Sequence, residues 1–190
     1  MSTASTALLL IDIQQGLDDP KYGARNNPDA EANMARLLAA WRSAWRPVVH
    51  VKHNSTSPAS LLRPELPGNV IKPEVAPCDG EPLFSKSVHS AFIGTDLEAY
   101  LRAEAISALV VVGLTTNHCV STTVRMAANL GFTVSVVADA TAAHEAVGYD
   151  GRQFTADQIH EAALASLHAE FATVRTTADV LEEVGEGGRR

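Results

Sequence analysis

Beginning at Gly113 the chain reads G-L-T-T-N-H-C-V-S-T-T-V, and this turn holds Cys119, one of only two cysteines in 190 residues. The turn lies between an apolar run, L-V-V-V, and a stretch that reads as a helix. A thiol at a helix N-terminus meets unpaired N–H groups and the positive end of the helix dipole, which favour thiolate. The same N–H groups are ready donors for an oxyanion forming on an attacked carbonyl. The competing reading is a small buried apolar residue packed under the helix. Two further residues bear on the choice. Asp12 interrupts the apolar strand L-L-L-I-D-I, where an unpaired carboxylate is costly and needs a cation or a proton-sharing partner. Lys86, at the end of P-L-F-S-K, has the same need with the opposite sign. Asp as base, Lys as cation and Cys as nucleophile would satisfy all three at one crevice. The plain alternative is a structural Asp–Lys pair with an unrelated cysteine.

The elements that must carry these residues alternate along the chain. Segments 7–13, 47–53, 82–86, 108–113, 133–139 and 171–175 read as six strands, most of them too uniformly apolar for one-sided burial. Asn27-Pro28 opens a helix on which Met34, Leu37, Leu38, Trp41 and Trp45 recur as one apolar face. Thr95 to Glu98 and Thr155 to Gln158 are capping-box patterns. A third helix begins near Cys119 and stops at Gly131. Strand–helix alternation predicts a three-layer α/β/α Rossmann-like fold with a six-stranded parallel sheet and right-handed crossovers. The ligand crevice of such a sheet lies outside the C-terminal strand ends, where Asp12, Lys86 and Cys119 all fall. Segment 54–82 is expected to be a functional loop, residues 1–190 one domain, and 185–190 a frayed tail.

Composition narrows the classes. An apolar fraction of 46% fits a globular chain, and a net charge of -7 argues against nucleic acid or anionic membrane as partners. Two cysteines make no disulfide scaffold. The N-terminal M-S-T-A-S-T-A lacks the pattern of a signal peptide and no apolar run is long enough to span a membrane, so the expected location is cytoplasmic.

Taken together, L-L-L-I-D-I-Q, E-P-L-F-S-K-S-V-H-S-A-F-I-G-T-D-L, V-V-V-G-L-T-T-N-H-C-V-S-T-T-V-R-M-A and V-V-A-D-A-T-A span nearly the whole chain in order. They resemble the isochorismatase-like cysteine hydrolases, which include nicotinamidases and other small-amide hydrolases. The resemblance implies a catalytic triad on Asp12, Lys86 and Cys119 and a cis peptide at Leu114–Thr115. It implies an oxyanion hole from the N–H groups of Thr115 and Cys119, and a homo-oligomer, dimer or tetramer. The activity it implies is cleavage of a C–N bond in a small non-peptide amide through a thioester. Vinyl-ether hydrolysis of the isochorismatase type is the first alternative, and a degenerate binding or assembly subunit the second.

Metal-binding members carry an Asp-x-His segment and a further His after the second strand, where this chain has H-V-K-H-N-S. His50 and His53 are three apart and point to opposite faces of an extended strand, so neither metal nor organic cofactor is expected. Gln14, His53, Phe92, Asn117, His118 and Tyr149 are the candidate substrate contacts. Core packing is the rival role for Phe92 and its neighbour Phe84, while His89 stands close to Lys86 in sequence. Segment 144–154 is glycine-punctuated and is either a lid carrying Tyr149 or Arg152 or an ordinary surface loop. His160 and His168 are expected in solvent, and Cys78 to be incidental. Nothing in loops 54–82 and 144–154 identifies the substrate.

Overall fold

The computed structural model describes residues 5–187. Its main sheet is built from β1 (Ser5–Ile11), β2 (Val48–His53), β3 (Leu83–Lys86), β4 (Ile106–Leu114), β5 (Thr133–Ala142) and, after a two-stranded hairpin β6 (Ala146–Val147) and β7 (Gln153–Phe154), β8 (Thr173–Arg175). The six strands run parallel in the order β3-β2-β1-β4-β5-β8. The helices are α1 (Ala30–Ser43), α2 (Leu97–Ala103), α3 (Ser121–Asn129), α4 (Ala156–Leu167) and α5 (Thr177–Gly187).

Alternation within the central strand sorts the two cores. Ala7, Leu9 and Ile11 of β1 face one way and join Leu97, Leu101, Val120, Val124, Leu164 and Leu167, so α2, α3 and α4 cover that face. Leu8 and Leu10 face the other way and join Met34, Leu37, Leu38, Trp41, Val180 and Val184, so α1 and α5 cover the second face. Because both faces of β1 are buried, the strand reads as a run of apolar residues rather than as an alternating one. The expected three-layer architecture is the one observed, and among the described residues no helix is long and apolar enough to cross a membrane.

Several local readings need correction. Trp45 does not extend the apolar face of α1: the helix ends at Ser43, Trp45 has φ of 54° and its side chain is 95% exposed. Periodicity continued past the point where the backbone left the helix. The capping box at Thr155 forms, Gln158 N donating to Thr155 Oγ1 at 3.2 Å and Thr155 N to Gln158 Oε1 at 3.1 Å. At Thr95 it does not, because the hydroxyl donates to Ala91 O at 2.6 Å and accepts from Leu97 N at 3.3 Å. Of the tail expected over 185–190, the first residues belong to α5, which runs to Gly187; residues 188–190 lie outside the described residues.

Segment 54–82 is short turns pinned from within. Buried Asn69 donates to His53 O at 2.9 Å and Leu62 O at 2.7 Å, folding the segment back onto the end of β2. Lys72, also buried, lies 2.5 Å from both Asp18 and Glu31, and Arg25 adds two bonds to Glu31, at 2.5 and 2.7 Å. These charges tie the segment to α1 and to the turn after β1, which sets the walls of the crevice above the sheet.

Candidate active site

The strand order reverses between β1 and β4, and the crevice expected at such a switch point opens above their C-terminal ends. Asp12 follows the last residue of β1 with φ of 50°, a left-handed conformation that aspartate tolerates better than bulky residues do. Its N–H is tied to Val51 O at 2.9 Å. Lys86 ends β3, in register with His53 of β2. Its side chain is fully buried and reaches across β2, so that Nζ stands 2.5 Å from Asp12 Oδ2 and 3.0 Å from His53 Nδ1. The ammonium is a donor only, so His53 Nδ1 accepts this bond and carries no proton.

Cys119 comes from the β4 side. The Leu114–Thr115 peptide is cis, and the chain then makes a turn of π-helix, Thr116–Val120, that leads into α3. π-Turns of this kind recur at functional sites. Gly113, just before them, has φ of 132°, and a Cβ at this position would lie 2.1 Å from Ile11 O. Only glycine lets β4 approach β1 this closely, which brings the Cys119 turn to Asp12. Cys119 Sγ and the nearest donor atoms of Asp12 and His53 all lie within 4.8 Å of one another. On its other side, Sγ lies 3.5 Å from His89 Nδ1.

The electrostatics overturn one expectation. Burial, joined by the negative charge of Asp12, pushes the Cys119 thiol up to about 12, with Lys86 opposing both. The resting group is therefore a thiol, not the thiolate that helix position suggested; desolvation outweighs the dipole. Burial also raises the Asp12 carboxyl above the usual aspartate value, with Lys86 pulling it back. Asp12 Oδ1 is buried and, among the described residues, has no hydrogen-bond partner. His53 is lowered to about 4, chiefly by burial and then by Lys86.

Asp12 and Cys119 form part of the wall of a cavity of about 620 Å³, within the usual range for small-molecule sites. Of the candidate contacts, His53, Asn117 and His118 line it, as does Thr115 of the expected oxyanion hole. Three do not. Gln14 is fully buried and spends its amide on backbone, bonding His53 O at 3.0 Å, Asn69 O at 2.9 Å and His53 N at 2.8 Å. Phe92 stacks on Phe132 with ring centroids 5.9 Å apart in the core. Tyr149 stands wholly exposed between β6 and β7, the hairpin that replaces the expected loop. Arg152 lies over the Phe154 ring, 4.9 Å from its centroid.

Other lining residues carried weaker signals. His89 is close to Lys86 in sequence, which says nothing of its reaching the thiol. Ser55, Ser57, Ser60 and Glu145 belong to the two loops whose sequences show no pattern. His160, expected in solvent, is buried: its Nδ1 lies 2.8 Å from Thr116 Oγ1, the first residue of the π-turn, and its Nε2 3.4 Å from Asn27 Nδ2. His50 is buried away from His53, 2.9 Å from Glu81.

Asp12, His53 and Cys119 have the spacing of a metal site. They do not fit a metal ion as arranged, because the Lys86 ammonium already contacts Asp12 and His53, and a dication would be forced against it.

A parallel sheet with a cysteine on the turn after β4, facing a buried Asp–Lys pair at its switch point, defines a class of α/β protein with a hydrolase-like site. Residues 6–179 match the isochorismatase domain, and the chain belongs to that family. It is 44% identical to the uncharacterized isochorismatase family protein YrdC of Bacillus subtilis, over 93% of this chain and 95% of that one. A solved Chromobacterium violaceum protein of the family superposes with a TM-score of 0.93 at 45% identity, covering 98% of this chain and 96% of that one. Two more distant relatives are named for reactions. Streptothricin hydrolase of Streptomyces noursei is 33% identical, over 73% of this chain and 50% of the relative. Ureidoacrylate amidohydrolase RutB of Variovorax paradoxus is 27% identical, over 78% and 72%. The chain is thus an isochorismatase-family hydrolase.

Proposed function

We propose that this protein is a cysteine hydrolase that cleaves the C–N bond of a small non-peptide amide through a thioester, without a metal. The observation that carries the reading is the buried Asp12–Lys86 pair beside Cys119 on the wall of a small-molecule cavity. Relatives named for amide hydrolysis support the bond type.

In this mechanism Asp12 takes the thiol proton as Sγ attacks the amide carbonyl, which is needed because the thiol does not ionise on its own near neutral pH. Lys86, in contact with Asp12, offsets first the carboxylate and then the sulfur. The N–H groups of Thr115 and Cys119 receive the tetrahedral oxyanion. Asp12 returns its proton to the departing nitrogen as the C–N bond breaks, leaving the acyl group on sulfur and releasing ammonia or an amine. Water then gives a proton to Asp12 and its oxygen to the acyl carbon. Collapse releases the carboxylic acid, and Sγ recovers the proton.

A screen of small amides read by ammonia release, with Cys119→Ala in parallel, tests this. Wild type should turn over at least one amide and the variant none. Ether hydrolysis of isochorismate that survives Cys119→Ala would establish the vinyl-ether reading instead.

A further inference from the structure

Resting on the amide-hydrolase reading, we propose that the substrate is a small amide bearing a protonated amine, held by Glu145 on the cavity wall. The charge inventory of the cavity carries this. Among the described residues no Lys or Arg lines it, and its acidic residues are Asp12 and Glu145. Asp12 is neutralised by Lys86, whereas Glu145 has no ion-pair partner among the described residues.

The Glu145 carboxylate is nonetheless held. Its Oε1 accepts from Ala24 N at 3.0 Å, and its backbone N–H donates to Ala24 O at 2.8 Å. Gly23 makes room for it, since a Cβ there would lie 2.5 Å from Oε1. Of the basic residues in the adjoining segments, Arg25 and Lys72 pair with Glu31, while Lys21 donates to Ala59 O at 2.9 Å and lies 5.1 Å from the Tyr22 ring centroid. Of the cavity's four imidazoles, His53, His118 and His144 are each lowered, by burial first, which disfavours their charged forms, and the fourth, His89, lies against Cys119 Sγ at 3.5 Å. A dicarboxylate of the isochorismate type would enter with no Lys or Arg on the described cavity wall to meet it, which leaves its desolvation poorly offset. An ammonium at the far end of an amide would meet the Glu145 carboxylate, which is exposed and held through one oxygen by Ala24 N. Hydroxyls of Ser55, Ser57, Ser60 and Ser87 supply neutral partners for the rest.

Cys119 can report this charge preference without turnover. (2-Aminoethyl) methanethiosulfonate and (2-sulfonatoethyl) methanethiosulfonate deliver opposite charges to a thiol. The ratio of their rate constants at Cys119, divided by the ratio at exposed Cys78, is read by peptide mass mapping. A partly solvated carboxylate should favour the cationic reagent about fivefold, and Glu145→Gln should bring the normalised ratio toward unity. Equal or faster reaction of the anionic reagent, or a ratio that Glu145→Gln leaves unchanged, overturns the proposal. Turnover gives a second measurement: kcat/KM for 4-aminobutyramide over that for succinamate should exceed one and fall in Glu145→Gln, and the reverse order counts against it. If no amide is turned over, the amide reading fails, while the labelling ratio still decides the charge of the site.

Discussion

Cys119 keeps its proton at rest, so its nucleophile must be generated during the attack. Burial and the Asp12 charge both push its ionisation to about 12, and Asp12 itself is raised above an ordinary aspartate by burial. Only ionised Asp12 accepts a proton, so activity should rise with pH through that raised value, and its acid limb should lie above the usual aspartate range. The same coupling separates reactivity from catalysis. Asp12→Asn removes the neighbouring charge that holds the thiol protonated, so iodoacetamide should alkylate Cys119 faster in the variant than in wild type at the same pH. Turnover should move oppositely, falling by about 100-fold with loss of the general base. Steady-state kcat and alkylation rates on the two proteins check both halves. A variant that keeps more than about a tenth of wild-type kcat shows that Asp12 is not the base.

Elements with strong periodicity were legible in the sequence, and elements defined by long-range contact were not. β1 and β4 stand out because two-sided burial leaves long apolar runs in them, and β2 and β5 by shorter β-branched apolar runs. Asp12 and Lys86 stand out because charged groups at the ends of such strands need partners, and Cys119 because a rare cysteine stands in the turn between a strand and a helix. Gln14 and His160 were misread because their roles lie in bonds to segments distant in the chain, 39 and 44 residues away. The hairpin β6–β7 has only two residues per strand, too few for an alternation to show. Segment 54–82 looked like an open loop because its order comes from buried Asn69 and from the Lys72–Glu31–Arg25 cluster. That cluster carries a pH signature. Burial alone would raise Glu31, but bonds from Arg25 and Lys72 bring it down to about 2, from 4.5 in the unfolded chain. A depressed carboxyl contributes stability that is complete above 4.5 and is lost as pH falls toward about 2. Glu31→Gln should therefore cost about 2 kcal/mol at pH 7, with Asp18 remaining as a partial partner for both cations. In a chain of this size that is about 4–8 °C in Tm. Thermal melts from pH 7 down to about 3 should show the gap narrowing. A constant gap would mean that the cluster acts through packing alone.

Across the whole molecule, fold and site depend on the same contact between the two halves of the sheet. Among the described residues, the strands β3-β2-β1 pair with β4-β5-β8 only through the β1–β4 ladder, where Ile11 is opposite Gly113. Asp12 leaves one strand of that pair, and the turn holding Thr115 and Cys119 leaves the other. The separation of the proposed base from the proposed nucleophile is thus set by how closely two backbones pack at their last paired residues. Gly113→Ala tests this. The new methyl would be placed 2.1 Å from Ile11 O, and φ of 132° is itself unfavourable for alanine. Backbone cannot yield there as a flexible side chain does, so the strands must part or the turn must rotate. Destabilisation should exceed about 3 kcal/mol by chemical denaturation, more than Glu31→Gln at the periphery. Any folded fraction should also lose turnover, because a shift of about 1 Å between reacting groups can cost about 100-fold in rate. A Gly113→Ala protein with near-native stability and kcat would show that the close β1–β4 approach does not position the site.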